Sequence, residues 1–288
     1  MEQVTPLPGD VEGWRVGDTE FVQFFDHGGS TPERFTIQKN QAIIDLYVDL
    51  CPRVQQGRIV ELGVADGGST ALLSLLTAPT KLVACEFSST PLPALTTFLE
   101  AHGLAERVRL YLGTNQGDRP RLREIVAAEF GDEPLDLVVD DASHVWDRTL
   151  DSFEVLFPLL RPGGTYVIED WAAQYLVAES ITAVQADPTS PAYATARARY
   201  DDAVRAGAPP RPPLARLAIE LFLATIASPD VVTDVTMNHH WLTVRRGSTP
   251  LDPEAFRLAD WYVDHFGWLD GDGDPARWWL RRLWERPT

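Results

Sequence analysis

The stretch "RIVELGVADGGST", Arg58–Thr70, reads as a buried strand running into a glycine turn and then the start of a helix. Ile59, Val60 and Leu62 make a nearly continuous apolar run, as expected of a strand whose two faces are both covered by helices. Gly63 and Gly67 allow the backbone to turn tightly, and Gly68 and Ser69 open the next helix. Ala65 stands where a G-x-G-x-x-G dinucleotide loop has its second glycine, so the spacing is not that of a dinucleotide site.

The same strand-then-helix unit repeats downstream. "KLVACEF", "RVRLYLG", "LDLVVDD" and "GTYVIEDW" are apolar runs separated by amphipathic stretches, with Gly103, Gly131 and "RPGG" (161–164) placed at expected helix ends. Five β-α units in succession predict an α/β fold with a doubly wound, mostly parallel, Rossmann-like sheet. "VVTDVTM" and "HHWLTVRR" read as a C-terminal antiparallel hairpin that closes the sheet edge. Before Arg58 the pattern predicts one helix, "QAIIDLYVDL" (41–50).

The composition limits the function. With 288 residues and 44% hydrophobic content the chain is globular, and a formal charge of −17 argues against a nucleic-acid partner, which would require a basic face. No apolar run reaches the roughly 18 residues of a membrane span, and the N-terminus lacks the pattern of a signal peptide. Cys51 and Cys85 lie in apolar settings that suit a reducing compartment. The expectation is a soluble cytoplasmic protein that binds a small molecule and no membrane.

In such a sheet, ligands bind beyond the carboxyl ends of the strands. Glu61, Gly63, Ala65, Gly67 and Ser69 surround the first turn. A carboxylate there is unfavourable for a diphosphate but useful beside an ammonium group. Glu86, at the end of the second strand, suits a bidentate bond to two ribose hydroxyls, and Asn115 and Gln116 of "GTNQGD" stand beside an expected adenine pocket. A ligand with an amino-acid end, a ribose and an adenine but no phosphate is S-adenosylmethionine. A short-chain NAD dehydrogenase is excluded: Phe35 and Thr77 stand where a tyrosine would precede Lys39 and Lys81.

"VELGVADGGST", "VVDDASH" and "LFPLLRPGGTYVIEDW", in this order and spacing, resemble the class I methyltransferases that O-methylate sugars of macrolide antibiotics, the mycinamicin and tylosin type. The resemblance covers residues 57–171 and, loosely, the C-terminal hairpin. It does not extend over the first 56 residues. It implies a methyltransferase domain over 57–250; the Ala-, Pro- and Asp-rich stretch at about 172–213 reads from its composition as an inserted lid, and residues 1–56 read as an N-terminal helical, oligomerisation or cap segment. A Trp-rich extension (251–288) follows. A homo-oligomer and a small natural-product acceptor are further implications.

The opposed acidic pairs Asp140–Asp141 and Glu169–Asp170 end two strands that lie roughly 4.8 Å apart when adjacent. Asp141, Glu169 and Asp170 are therefore expected to converge, and a hard divalent cation, Mg²⁺ or Mn²⁺, would relieve their repulsion. The resemblance implies that these three are metal ligands, that His144 is the general base and that Asp141 shares the catalytic site. Asp140 is expected beside the cofactor or capping the turn. The competing reading keeps the fold and the bound cofactor but uses them structurally for a non-methylating reaction such as cyclisation. His239 and His240, adjacent on an expected strand, point to opposite faces and cannot chelate one ion together. "DGDGD" (270–274) reads as an acidic turn.

Overall fold

The computed structural model describes residues 3–9, 12–23, 28–172 and 212–265, with isolated positions 189, 191, 194 and 269. Most of the expected lid, the "DGDGD" turn and the tail tryptophans after Trp261 lie outside the described residues. Cys51 and Cys85 are buried and unpaired. Among the described residues no helix is long and apolar enough to cross a membrane.

The predicted β-α units are all present: β5 (Arg58–Leu62), α2 (Gly68–Thr77), β6 (Lys81–Glu86), α3 (Pro93–Ala101), β7 (Val108–Leu112), α4 (Arg119–Phe130), β8 (Leu135–Asp140), α5 (Trp146–Leu156) and β9 (Leu160–Glu169). After the lid region come α6 (Ala215–Ala227), β10 (Val232–Met237) and β11 (Trp241–Arg246). The sheet order is β10-β11-β9-β8-β5-β6-β7. β5 to β9 run parallel, and the β10–β11 hairpin joins β9 antiparallel. β5 lies between β6 and β8, so the chain reverses its direction of travel there, and the crevice beyond β5 is where this topology places ligands.

Side-chain alternation divides the core into two layers. Ile59, Leu82, Leu137, Val139 and Val167 face α1 (Gln41–Leu50), α2 and α3, whereas Val60, Leu62, Val83, Val138, Tyr166 and Ile168 face α4, α5 and α6.

The N-terminal region departs from expectation. Besides the predicted helix α1, it forms a four-stranded sheet of β1 (Val4–Pro6), β2 (Gly13–Val16), β3 (Thr19–Gln23) and β4 (Arg34–Ile37), in that order. Its inner face buries Trp14, Val16, Phe21, Phe35 and Ile37 in the same core as α1–α3. Trp14 Nε1 donates to Gln41 Oε1 on α1 at 2.7 Å, and Phe35 packs edge-on against Phe98 of α3 at 5.3 Å. "RPGG" also differs: it lies inside β9, where the pairing with β8 shifts register between Leu135 and Leu137. A bulge accommodates the proline and glycines that would interrupt a regular strand.

Candidate active site

A cavity of about 450 Å³ opens beyond the carboxyl ends of β5, β6 and β8. Its floor depends on close backbone approach. Gly63 has φ +88°, and a Cβ there would lie 2.1 Å from the carbonyl oxygen of Asp141. A Cβ on Gly68 would lie 2.4 Å from the carbonyl of Thr36, so β4 crosses directly over the start of α2. That crossing places Thr36, Ile37, Gln38 and Lys39 in the cavity wall. Asp66 fixes the approach by accepting from the amide of Gly28 and from Thr36 Oγ1.

Of the residues expected to bind the cofactor, Gly63, Ala65, Ser69, Glu86, Asn115 and Gln116 line this cavity. Ala65 adopts φ +48°, the left-handed conformation a glycine would take at that point of the turn. Glu86 braces the turn: Oε2 accepts from the amides of Val64 (2.9 Å) and Ala65 (3.0 Å), and Oε1 from Ser88 (2.8 Å). A carboxylate has about four acceptor sites, so it retains capacity toward the cavity. Asn115 Oδ1 holds the amide of Gly117.

Glu61 and Gly67 stand behind the lining. Gly67 packs against Leu95 at the N-cap of α2. Glu61 is buried, with Oε2 accepting from Thr70 Oγ1 at 2.6 Å and Oε1 left without a partner. Burial pushes its carboxyl up to about 7, against the opposing pull of Ser69, Thr70 and Lys39.

The acidic pairs do not act as pairs, because neighbouring strand residues point to opposite faces. Asp140 turns into the α4–α6 layer and does not line the cavity, contrary to its expected place beside the cofactor. Gln116 Nε2 (2.6 and 2.7 Å), Ser152 Oγ (2.9 Å) and Tyr166 Oη (3.0 Å) donate to it. Gln116 Oε1 accepts from the Ser143 hydroxyl at 2.7 Å, so that residue mainly ties β8 to the loop after it. Glu169 turns the other way, into the α1 layer. Asp141 and Asp170 remain at the sheet edge, each half-buried and lining the cavity.

One side chain with no site role expected from the sequence joins these elements. Lys39, buried with its side chain 3% exposed, donates to Asp141 Oδ2 (2.9 Å) and to both oxygens of Glu169 (2.8 and 2.7 Å). Tyr47 of α1 donates its hydroxyl to Glu169 Oε1, and its ring lies 5.2 Å from the ammonium. Burial works against the charge on Lys39, but Asp141 and Glu169 outweigh it and raise its pKa. The available signal was compositional: Lys39 is one of only two lysines in a chain that otherwise uses arginine.

The expected set Asp141, Glu169 and Asp170 is therefore not what converges on the cavity. Instead, ligand atoms of Asp141, His144 and Asp170 lie within 4.8 Å of one another. His144 Nε2 is 3.9 Å from Asp141 Oδ1. His144 and Asp170 both have positive φ, +52° and +50°, the left-handed region that few non-glycine residues adopt. The Asp170 amide donates to the carbonyl of His240 at 2.9 Å. His239 and His240 sit in the turn between β10 and β11 rather than on a strand.

Residues 60–171 match a protein family described as a methyltransferase domain. Demethylmacrocin O-methyltransferase of Streptomyces fradiae is 43% identical over 77 residues, 26% of this chain and 18% of that protein. Mycinamicin VI 2''-O-methyltransferase of Micromonospora griseorubida is 44% identical over 69 residues, 23% of this chain and 17% of that protein. These alignments thus span less than a fifth of either relative's length. A solved structure of the MycE methyltransferase of mycinamycin biosynthesis, with Mg, SAH and mycinamycin VI, is 22% identical. It covers 72% of this chain and 49% of that one, with a TM-score of 0.47.

Proposed function

We propose that this chain, whose residues 60–171 match a methyltransferase-domain family, transfers the methyl group of S-adenosylmethionine to a hydroxyl of a small natural product, of sugar or polyketide type. The observation that supports it best is the arrangement across one cavity: Glu86 and the β5 turn on one side, Asp141 and His144 on the other. The cofactor's parts fit the residues present. Glu86 suits the ribose diol, and the amides at the start of α2 suit a carboxylate. Glu61, one layer back, offers Oε1 as an acceptor that no group in the fold satisfies.

When bound, the cofactor supplies an electrophilic methyl group on a sulfonium. His144 takes the proton of the attacking hydroxyl, a role that typically contributes about 10²–10⁴-fold. Asp141 Oδ1, 3.9 Å away, stabilises the imidazolium that forms. The wall from Thr36 to Lys39 limits water entry from the N-terminal side.

Mg²⁺ or Mn²⁺ on Asp141, Glu169 and Asp170, read from the sequence, does not fit the donor set. Glu169 is engaged by Lys39 and Tyr47, and Asp141 keeps one oxygen free of Lys39. The remaining group includes an imidazole nitrogen, whereas Mg²⁺ favours oxygen.

The test is incubation with S-adenosylmethionine and a panel of glycosylated polyketides, read by mass spectrometry. A product heavier by one methylene, with equimolar S-adenosylhomocysteine, is expected. His144→Ala is expected to slow turnover about 10²–10⁴-fold while leaving S-adenosylhomocysteine affinity unchanged. Acceptor conversion without S-adenosylhomocysteine would instead support the non-methylating reading.

A homo-oligomer belongs to the same proposal. Ile219, Phe222 and Ile226 form an exposed apolar stripe on α6 (40%, 47% and 67% exposed), of the kind that marks contact surfaces. Ile226→Asp is expected to shift sedimentation toward the monomer. An unchanged oligomer, or a wild type that is already monomeric, would remove that element.

A further inference from the structure

We propose that the ammonium of Lys39 is the resident cation of this site. It stands between Asp141 and Glu169, where a divalent ion bridging them would have to sit, so the strand ends assemble and work without metal. The inference deepens the methyl-transfer reading, but only its catalytic arm rests on that reading.

An ammonium has three donors, and all three are used: one on Asp141 Oδ2 and one on each oxygen of Glu169, at 2.7 to 2.9 Å. The group is enclosed, with side-chain exposures of 3% for Lys39 and 2% for Glu169, and the Tyr47 ring packs beneath the charge. An ion reaching oxygens at Mg²⁺ distances of about 2.0–2.1 Å would have to displace this nitrogen. An ion placed beside it would have to share Asp141 with the ammonium and take the His144 imidazole nitrogen, a donor that Mg²⁺ disfavours. The buried carboxylate of Glu169, beside the half-buried Asp141, needs a compensating cation, and Lys39 meets that need from the fold itself, at the end of the wall that β4 builds.

The same contact gives Lys39 a positioning role. Its bond to Asp141 Oδ2 leaves Oδ1 as the oxygen facing His144. Lys39 thereby fixes which oxygen of Asp141 supports the base.

The test is Mn²⁺ titration followed by electron paramagnetic resonance, on the full chain with S-adenosylhomocysteine present. The proteins are wild type, Lys39→Met and Lys39→Met/Glu169→Gln. Wild type is expected to show no saturable Mn²⁺ site into the millimolar range. Lys39→Met should gain one site, tighter by about tenfold or more, the scale of removing one buried charge. The double variant should lose that site again. Mn²⁺ should also raise the Tm of Lys39→Met and not that of wild type, a rescue that a purely structural lysine would not show.

A tight stoichiometric Mn²⁺ site in wild type, weakened by Asp141→Asn and Glu169→Gln, would overturn the proposal. That measurement stands even if Lys39→Met fails to fold. Where methyl transfer is observed, wild-type turnover should survive EDTA, and loss in EDTA restored by Mg²⁺ would also overturn it. Absence of methyl transfer would count against the proposed function and leave the titration to decide the role of Lys39.

Discussion

Asp140 shows how far one position along a strand changes a carboxylate. Burial pushes its carboxyl up to about 6, with Ser152, Tyr166 and Gln116 opposing the shift. Between pH about 4 and 6 the native state holds a proton that the unfolded chain has released, so stability falls as pH rises through that window. Asp140→Asn should flatten that fall by roughly 2–3 kcal/mol, at 1.36 kcal/mol per pKa unit. Urea denaturation at intervals from pH 4 to 7 measures the difference between the two slopes. An Asn variant with the wild-type slope would mean that Asp140 is not the group responsible. The adjacent aspartates were legible as a site marker with two different roles, but the burial of Asp140 away from the cavity was not. Once β8 is assigned as a strand buried on both faces, alternation sends Asp140 into the helix layer and leaves Asp141 at the edge. The same rule separates Glu169 from Asp170.

The β5 turn and the loop after β8 form one unit at the scale of elements. The Asp141 amide donates to the Leu62 carbonyl at 2.8 Å, and Gly63 lies against the Asp141 carbonyl that follows. Gly63→Ala must adopt a left-handed φ and push two backbones apart, so a loss of about 2–4 kcal/mol is expected. Cofactor binding should weaken with it, because the separation widens the cavity floor. Chemical denaturation and S-adenosylhomocysteine calorimetry on the one variant check both parts. A variant of full stability would show that the two loops are not in contact. The units from β5 to β9 were readable because each strand is an unbroken apolar run and each helix an amphipathic one. The N-terminal sheet was not, since its strands have three to five residues. Pairs such as Trp14 and Val16 repeat too briefly to establish a period, and the partners that stabilise them, on α1 and α3, are far along the chain.

Across the whole molecule, the small sheet is part of the architecture that shapes the cavity. Phe35 stacks on Phe21 at 6.0 Å and meets Phe98 edge-on, joining β3, β4 and α3 in one buried group. Directly after β4 the chain delivers Lys39 to Asp141 and Glu169. Phe35→Ala should therefore cost about 3–5 kcal/mol, the usual range for a buried aromatic, and the loss should spread beyond the small sheet. Because both sheets contribute to one core, urea unfolding should remain a single transition with the same midpoint by circular dichroism and by loss of S-adenosylhomocysteine binding. Affinity at zero denaturant should fall too, since β4 carries the cavity wall. An early transition confined to part of the signal, with binding intact, would mean that the small sheet docks on the larger one without supporting it. In that case Lys39 would have to be held by α1 and Tyr47 alone.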